Sequence, residues 1–164
     1  MKKLIYFTIV AIITFSASVP AAYGNPTTAT RSSPYITGSV VFPRRSKTPS
    51  IDNIVRHSFR LQVPSQSSAL SQLIIDVPEG LKMPKSVKVS DASHQAIKAD
   101  VAMNDRLITV TFPQPVVSGT LLAISMDNVR VAGRSNGWLY PVSAKLVGFS
   151  SHISVGFARF SIGY

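Results

Sequence analysis

The sequence predicts an all-β domain, an antiparallel β-sandwich of immunoglobulin-like or related kind with about eight strands. Three observations carry that expectation. Apolar residues recur with a period of two in short runs, Pro, Gly, Asn and Asp punctuate those runs at short intervals, and no capped helical stripe reaches three turns. The plainest run is RHSFRLQV, where His57, Phe59, Leu61 and Val63 alternate with Arg56, Ser58, Arg60 and Gln62. Successive strand side chains point to opposite faces, so one set belongs to a core and the other to water.

The remaining strands follow in order. QLIIDV, Gln72 to Val77, stops at Pro78, and SVKVS, Ser86 to Ser90, follows the turn-like PEGLKMPK. The alanine-rich QAIKADVAM, Gln95 to Met103, reads as a strand or a short helical turn, and Asp105 separates it from RLITVTF, Arg106 to Phe112. FPQPVVSGT is then expected to be a connection, because Pro113 and Pro115 lack a ladder donor and Gly119 permits positive φ. TLLAISM, WLYPVSAKLVGF and HISVGFARFSIGY complete the set. The expected core holds Phe59, Leu61, Ile74, Val110, Phe112, Ile124, Tyr140, Val142, Phe157 and Ile162. There is no internal repeat.

Ahead of this domain the chain carries an export signal. Lys2 and Lys3 precede a largely apolar run from Leu4 to Ile13, interrupted by Thr8, and Ala22 with Gly24 gives the small-x-small pattern of a cleavage site. Residues 1–24 are therefore read as a signal peptide, residues 25–34 (NPTTATRSSP) as a flexible polar arm, and residues 35–164 as the domain. Uncleaved, Leu4 to Val19 falls short of the roughly 20 residues that span a bilayer. The expected location is periplasmic or extracellular, with no stable membrane insertion once the signal is removed. The absence of cysteine excludes disulfides and zinc-thiolate sites, and leaves stability to packing and hydrogen bonds.

Without Lys2 and Lys3 the balance is 15 Lys plus Arg against 7 Asp plus Glu, or +8. Such a charge favours anionic partners by steering and counterion release, and it also serves solubility. The basic residues cluster as Arg44, Arg45 and Lys47 in FPRRSKTP, as Arg56 and Arg60 at even spacing on one strand face, and as Lys82, Lys85 and Lys88 around a turn. Arg44, Arg45, Lys47, Arg56 and Arg60 are the candidate surface for an anionic polymer. The competing reading is that charges on an edge strand guard it against sheet-to-sheet aggregation. Nothing resembles a groove-reading helix or a base-stacking surface, so specific nucleic-acid binding is not expected.

One motif raises the question of catalysis. GRSNG, Gly133 to Gly137, spells the G-x-S-x-G of a nucleophile elbow, which would make Ser135 the nucleophile of a serine hydrolase. That elbow requires a following helix and then an acid and a histidine; no Asp or Glu lies downstream, His152 is the only later histidine, and the next residues alternate as a strand. The stretch is better read as a loop, with no catalytic residue. His57, His94 and His152 are too far apart in sequence to suggest a metal site, and no cofactor is implied. His57, on the apolar side of its strand, is expected as a core or edge histidine with its nitrogens satisfied, and Trp138 as a plug at one end of the core.

In order and spacing, HSFRLQVP, PEGL, LITVTFPQPVVSGT, NVRVAGRSNGWLYPVSA and VGFARFSIGY resemble the secreted cyanobacterial proteins catalogued as domain of unknown function 2808. The resemblance spans residues 36–164; Gln114, where that family often has an acid, and Trp138–Leu139, in place of its usual YL, depart from it. It implies export, a β-sandwich-like domain and GRSNG as a loop ahead of the penultimate strand, and it supplies no catalytic or binding residues. Residues and resemblance together lead to an exported, non-enzymatic domain of the cell envelope or extracellular matrix, structural or interaction-forming, whose partner is an envelope protein or an acidic polysaccharide.

Overall fold

The computed structural model describes residues 31–43, 54–132, 135 and 137–161. The expected signal peptide, most of the arm and Ile162 lie outside the described residues. Ten strands form: β1 (Tyr35–Pro43), β2 (Ile54–Gln62), β3 (Leu70–Asp76), β4 (Leu81–Lys82), β5 (Ser86–Ser90), β6 (Asp100–Asn104), β7 (Leu107–Val116), β8 (Leu121–Val131), β9 (Gly137–Leu146) and β10 (Ile153–Ser161). The count exceeds the expected eight because β1 and β4 gave no usable signal. Gly38 sits where the β1–β2 register shifts, which interrupts the alternation of YITGSVVFP, and β4 has only two residues.

Two antiparallel sheets face each other. The first runs β1-β2-β8-β4, with β5 also paired to β8; the second runs β10-β9-β3-β7-β6. Between them lies one apolar core built from Phe59 and Leu61 of β2, Leu73 and Ile75 of β3, Ile108, Val110 and Phe112 of β7, Leu122, Ile124 and Met126 of β8, and Tyr140 and Val142 of β9. Fully burying each aliphatic side chain contributes about 1.5–3 kcal/mol. Among the described residues no helix is long and apolar enough to cross a membrane.

Three expectations need correction. Ile74 is only partly buried, because Leu73, Ile75 and Val77 share the inward parity of β3 and leave Ile74 on the outer face between Ser143 and Thr109. Phe157 is 62% exposed. Gly156, at φ 123°, sits at a register shift in β10, after which Ala158 and Phe160 take the core positions. FPQPV does not end its strand either: β7 continues to Val116, and pairing jumps from Gln72↔Thr111 to Leu70↔Val116, so the prolines occupy an excursion where the ladder needs no N–H. QAIKADVAM resolves into a single bridge, Ser90↔Ala96, followed by β6.

Candidate functional site

The strands of the first sheet carry a net positive charge that those of its neighbour lack. On the strands of this sheet the cations are Arg56, Arg60, Lys82, Lys88 and Arg130, and the only acid is Asp127. On the strands of the second sheet Lys145 and Arg159 are balanced by Asp76 and Asp100. The placement follows from parity. His57, Phe59 and Leu61 point inward, so Arg56, Ser58 and Arg60 point outward, and the same alternation turns Ser125 and Ala123 of β8 and Lys88 of β5 to water.

Rows across the strands make this face a paved surface. Val40, Ser58, Ser125 and Lys88 form one row, and Gly38, Arg60, Ala123 and Ser90 the next. The Ser58 and Ser125 hydroxyls are 3.0 Å apart and share a hydrogen bond. The middle of the face is thus low and polar, with long cationic side chains standing above it.

At one end the face deepens into a groove of about 460 Å³ lined by Phe42, Ile54, Val55, Arg56, Ser86, Lys88, Asp127 and Asn128. A β-bulge shapes it. Val55 pairs with Val129 and His57 with Met126, so Asp127 and Asn128 together oppose the single residue Arg56. Asn128 takes the left-handed conformation, φ 58°, which asparagine tolerates better than most residues. Bulges re-aim side chains, and this one holds Asp127 beneath two cations. Its carboxylate accepts from Arg56 Nε and lies 3.7 Å from Lys88 Nζ. Asp127 is 13% exposed, whereas Arg56 and Lys88 are 54% and 74% exposed, leaving much of each cation to solvent.

Of the sequence-predicted residues, Arg56 and Arg60 share this face, while Arg44, Arg45 and Lys47 lie outside the described residues. Their connection leaves the sheet at Pro43 and re-enters at Ile54, at the groove end. The edge-guarding explanation does not hold for Arg56 and Arg60, because β2 is flanked by β1 and β8. Sequence reasoning missed Arg130, Phe42 and Asp127. Asp127 lies 71 residues from Arg56, and only the β2–β8 pairing joins them.

The histidines are dispersed. His57 is fully buried beneath the basic face, stacked on Phe160 at 4.4 Å between ring centroids, with Trp138 at 5.7 Å and Tyr140 edge-on at 5.6 Å. Its Nδ1 shares a 2.7 Å hydrogen bond with the Tyr140 hydroxyl. Contrary to expectation only one nitrogen is satisfied, since Nε2, like Trp138 Nε1, has no partner among the described residues. Burial lowers the His57 pKa to about 4 and raises that of Tyr140. Trp138 is buried as a core plug. His152 Nε2 meets Gln72 Oε1 at 2.8 Å. Ser135 Oγ donates to the Gly137 carbonyl at 2.8 Å, and a strand, β9, begins at Gly137 where an elbow would require a helix. Among the described residues no three His, Cys, Asp or Glu side chains gather around a possible metal position.

Comparison with known proteins gives one family match: the family described as Protein of unknown function (DUF2808) covers residues 41–162. No curated protein matches the chain. Among solved structures, the pilus backbone RrgB from Streptococcus pneumoniae is similar at 12% identity and TM-score 0.48, over 68% of this chain and 31% of that one. This chain thus spans under a third of the length of the pilus protein. An uncharacterised protein from Nocardia farcinica with an immunoglobulin-like fold is 11% identical, TM-score 0.47, over 80% of this chain and 97% of that one. The collagen-binding domain of a Staphylococcus aureus adhesin is 12% identical, TM-score 0.41, over 66% and 86%.

Proposed function

We infer that this chain, which belongs to the family described as Protein of unknown function (DUF2808), is an exported, non-catalytic interaction domain that holds an anionic polymer on the outer face of its first sheet. The observation that carries this reading is the segregation of charge: five cations against one acid on the strands of one sheet, and two against two on those of the other. Solubility alone gives no reason for one sided placement. A concentrated positive surface attracts polyanions from a distance and gains affinity by releasing their counterions.

The test is the salt dependence of binding to an acidic exopolysaccharide. Affinity is expected to fall steeply as salt rises, since the Debye length shortens to about 8 Å at physiological ionic strength. Replacing Arg60, Lys88 and Arg130 together by Ser is expected to lower both affinity and salt slope, and replacing Arg44, Arg45 and Lys47 together to do the same through the adjoining connection. Binding that ignores salt and both triple changes would overturn the reading. A second reading, a structural component of the envelope or matrix, draws on the second sheet, where Leu139 and Phe157 stand exposed on neighbouring strands and offer an apolar contact to another protein.

A further inference from the structure

We propose that the groove at Phe42, Arg56 and Asp127 is a subsite for one uronic acid residue of an acidic polysaccharide, and that Asp127 makes the face discriminate against polyphosphate-type polymers. The proposal rests on the reading of the basic face given above. It starts from a feature that a plain polyanion surface does not need, a carboxylate set among its cations.

A phosphate polymer presents charge at every repeat and few hydroxyl donors. Against it Asp127 is a like charge in the lining of the groove, and it also withdraws part of Arg56 and Lys88 into its own ion pairs. A uronic acid residue reverses this balance. Its ring hydroxyls donate to the Asp127 carboxylate, its own carboxylate accepts from the exposed N–H groups of Arg56 and Lys88, and its apolar C–H face packs on an aromatic wall. Phe42 supplies that wall: its ring is half exposed, lies on the groove, and is the cross-strand partner of Arg56. The groove volume, about 460 Å³, falls within the roughly 300–1,000 Å³ usual for small-molecule sites. Beyond the groove the Ser58–Ser125 floor and Arg60 continue the same face, so a polymer seated here has room to run on across the strands.

The experiment measures binding of the full chain to oligogalacturonate, to polyphosphate of equal charge and to a neutral glucan of equal length. Oligogalacturonate is expected to bind at least about tenfold more tightly than polyphosphate, and the neutral glucan more weakly than either. Asp127→Asn is expected to narrow or invert that preference, weakening the uronate and strengthening the phosphate. Phe42→Ala, at a half-exposed position that leaves the core intact, is expected to weaken uronate binding about three- to tenfold and to leave polyphosphate unchanged. Equal or tighter binding of polyphosphate by the native chain would overturn the subsite while leaving the basic face standing. So would an Asp127→Asn change that strengthens both polymers alike, or a Phe42→Ala change without effect. Failure to bind any polyanion would remove both the face and the subsite.

Discussion

The two sheets have the same kind of interior and opposite exteriors. β2 and β9 show the contrast: each alternates buried with exposed positions, and His57 from one meets Tyr140 and Trp138 from the other. On its outward positions β2 presents Arg56, Ser58 and Arg60, whereas β9 presents Leu139, Pro141 and Ser143. The inner parity is committed to packing, so it is similar in both. The outer parity is left open by folding, and there the sheets diverge into a cationic, small-residue surface and a charge-balanced one with apolar residues.

That contrast can be broken from the inside first. Phe59→Ala on β2 and Phe112→Ala on β7 are each expected to cost about 3–5 kcal/mol in denaturant unfolding, the two sheets paying alike. A marked inequality would mean that the core leans on one sheet.

The next effect is titration of His57. Its folded pKa is about 4 against 6.5 unperturbed, so as pH falls through 6.5 the unfolded chain takes up a proton that the folded chain refuses until near 4. The stability tied to this group is complete above pH 6.5 and is lost progressively between 6.5 and 4, about 3 kcal/mol in all. Urea midpoints at pH 7, 5.5 and 4 should track that loss, and His57→Phe should flatten the profile. An equally steep profile in the variant would assign the pH dependence elsewhere.

Outer-face changes come below these in stability and above them in binding. Arg60→Ser is expected to move stability by no more than about 0.5 kcal/mol. Lys145→Ser with Arg159→Ser, on the second sheet, should leave polymer binding unchanged; an equal loss there would erase the distinction between the faces. Ser135→Ala is the smallest change: loss of two exposed hydrogen bonds to the Gly137 backbone, with no activity altered. Specific labelling of Ser135 by a fluorophosphonate, abolished by heat unfolding, would contradict it.

The fold was largely legible because alternation is a local property. RHSFRLQV announces β2 and its two faces without reference to anything else, and SVKVS coincides with β5. Legibility failed wherever register shifted. Gly156 lets Phe157 turn outward, Gly38 conceals β1, and the Pro113–Pro115 excursion resembles an end to β7. The site was legible only on a single strand. Arg56 and Arg60 share a face by spacing, but their neighbours Lys88, Arg130 and Asp127 come from β5 and β8, and strand order is a long-range fact that no window of sequence contains.

The bulge at Asn128 has a further consequence for how this chain can vary. Leu122, Ile124 and Met126 face inward before it and Val129 after it. Removing Asn128 would therefore leave Val129 inward and Arg130 outward in an ordinary ladder, with Val55 and His57 still opposite their present partners. The apolar half of β8 is in phase with or without this residue. A one-codon deletion at this point is thus an in-frame edit for the interior and a rewrite for the exterior, one that keeps the sandwich and redraws the groove.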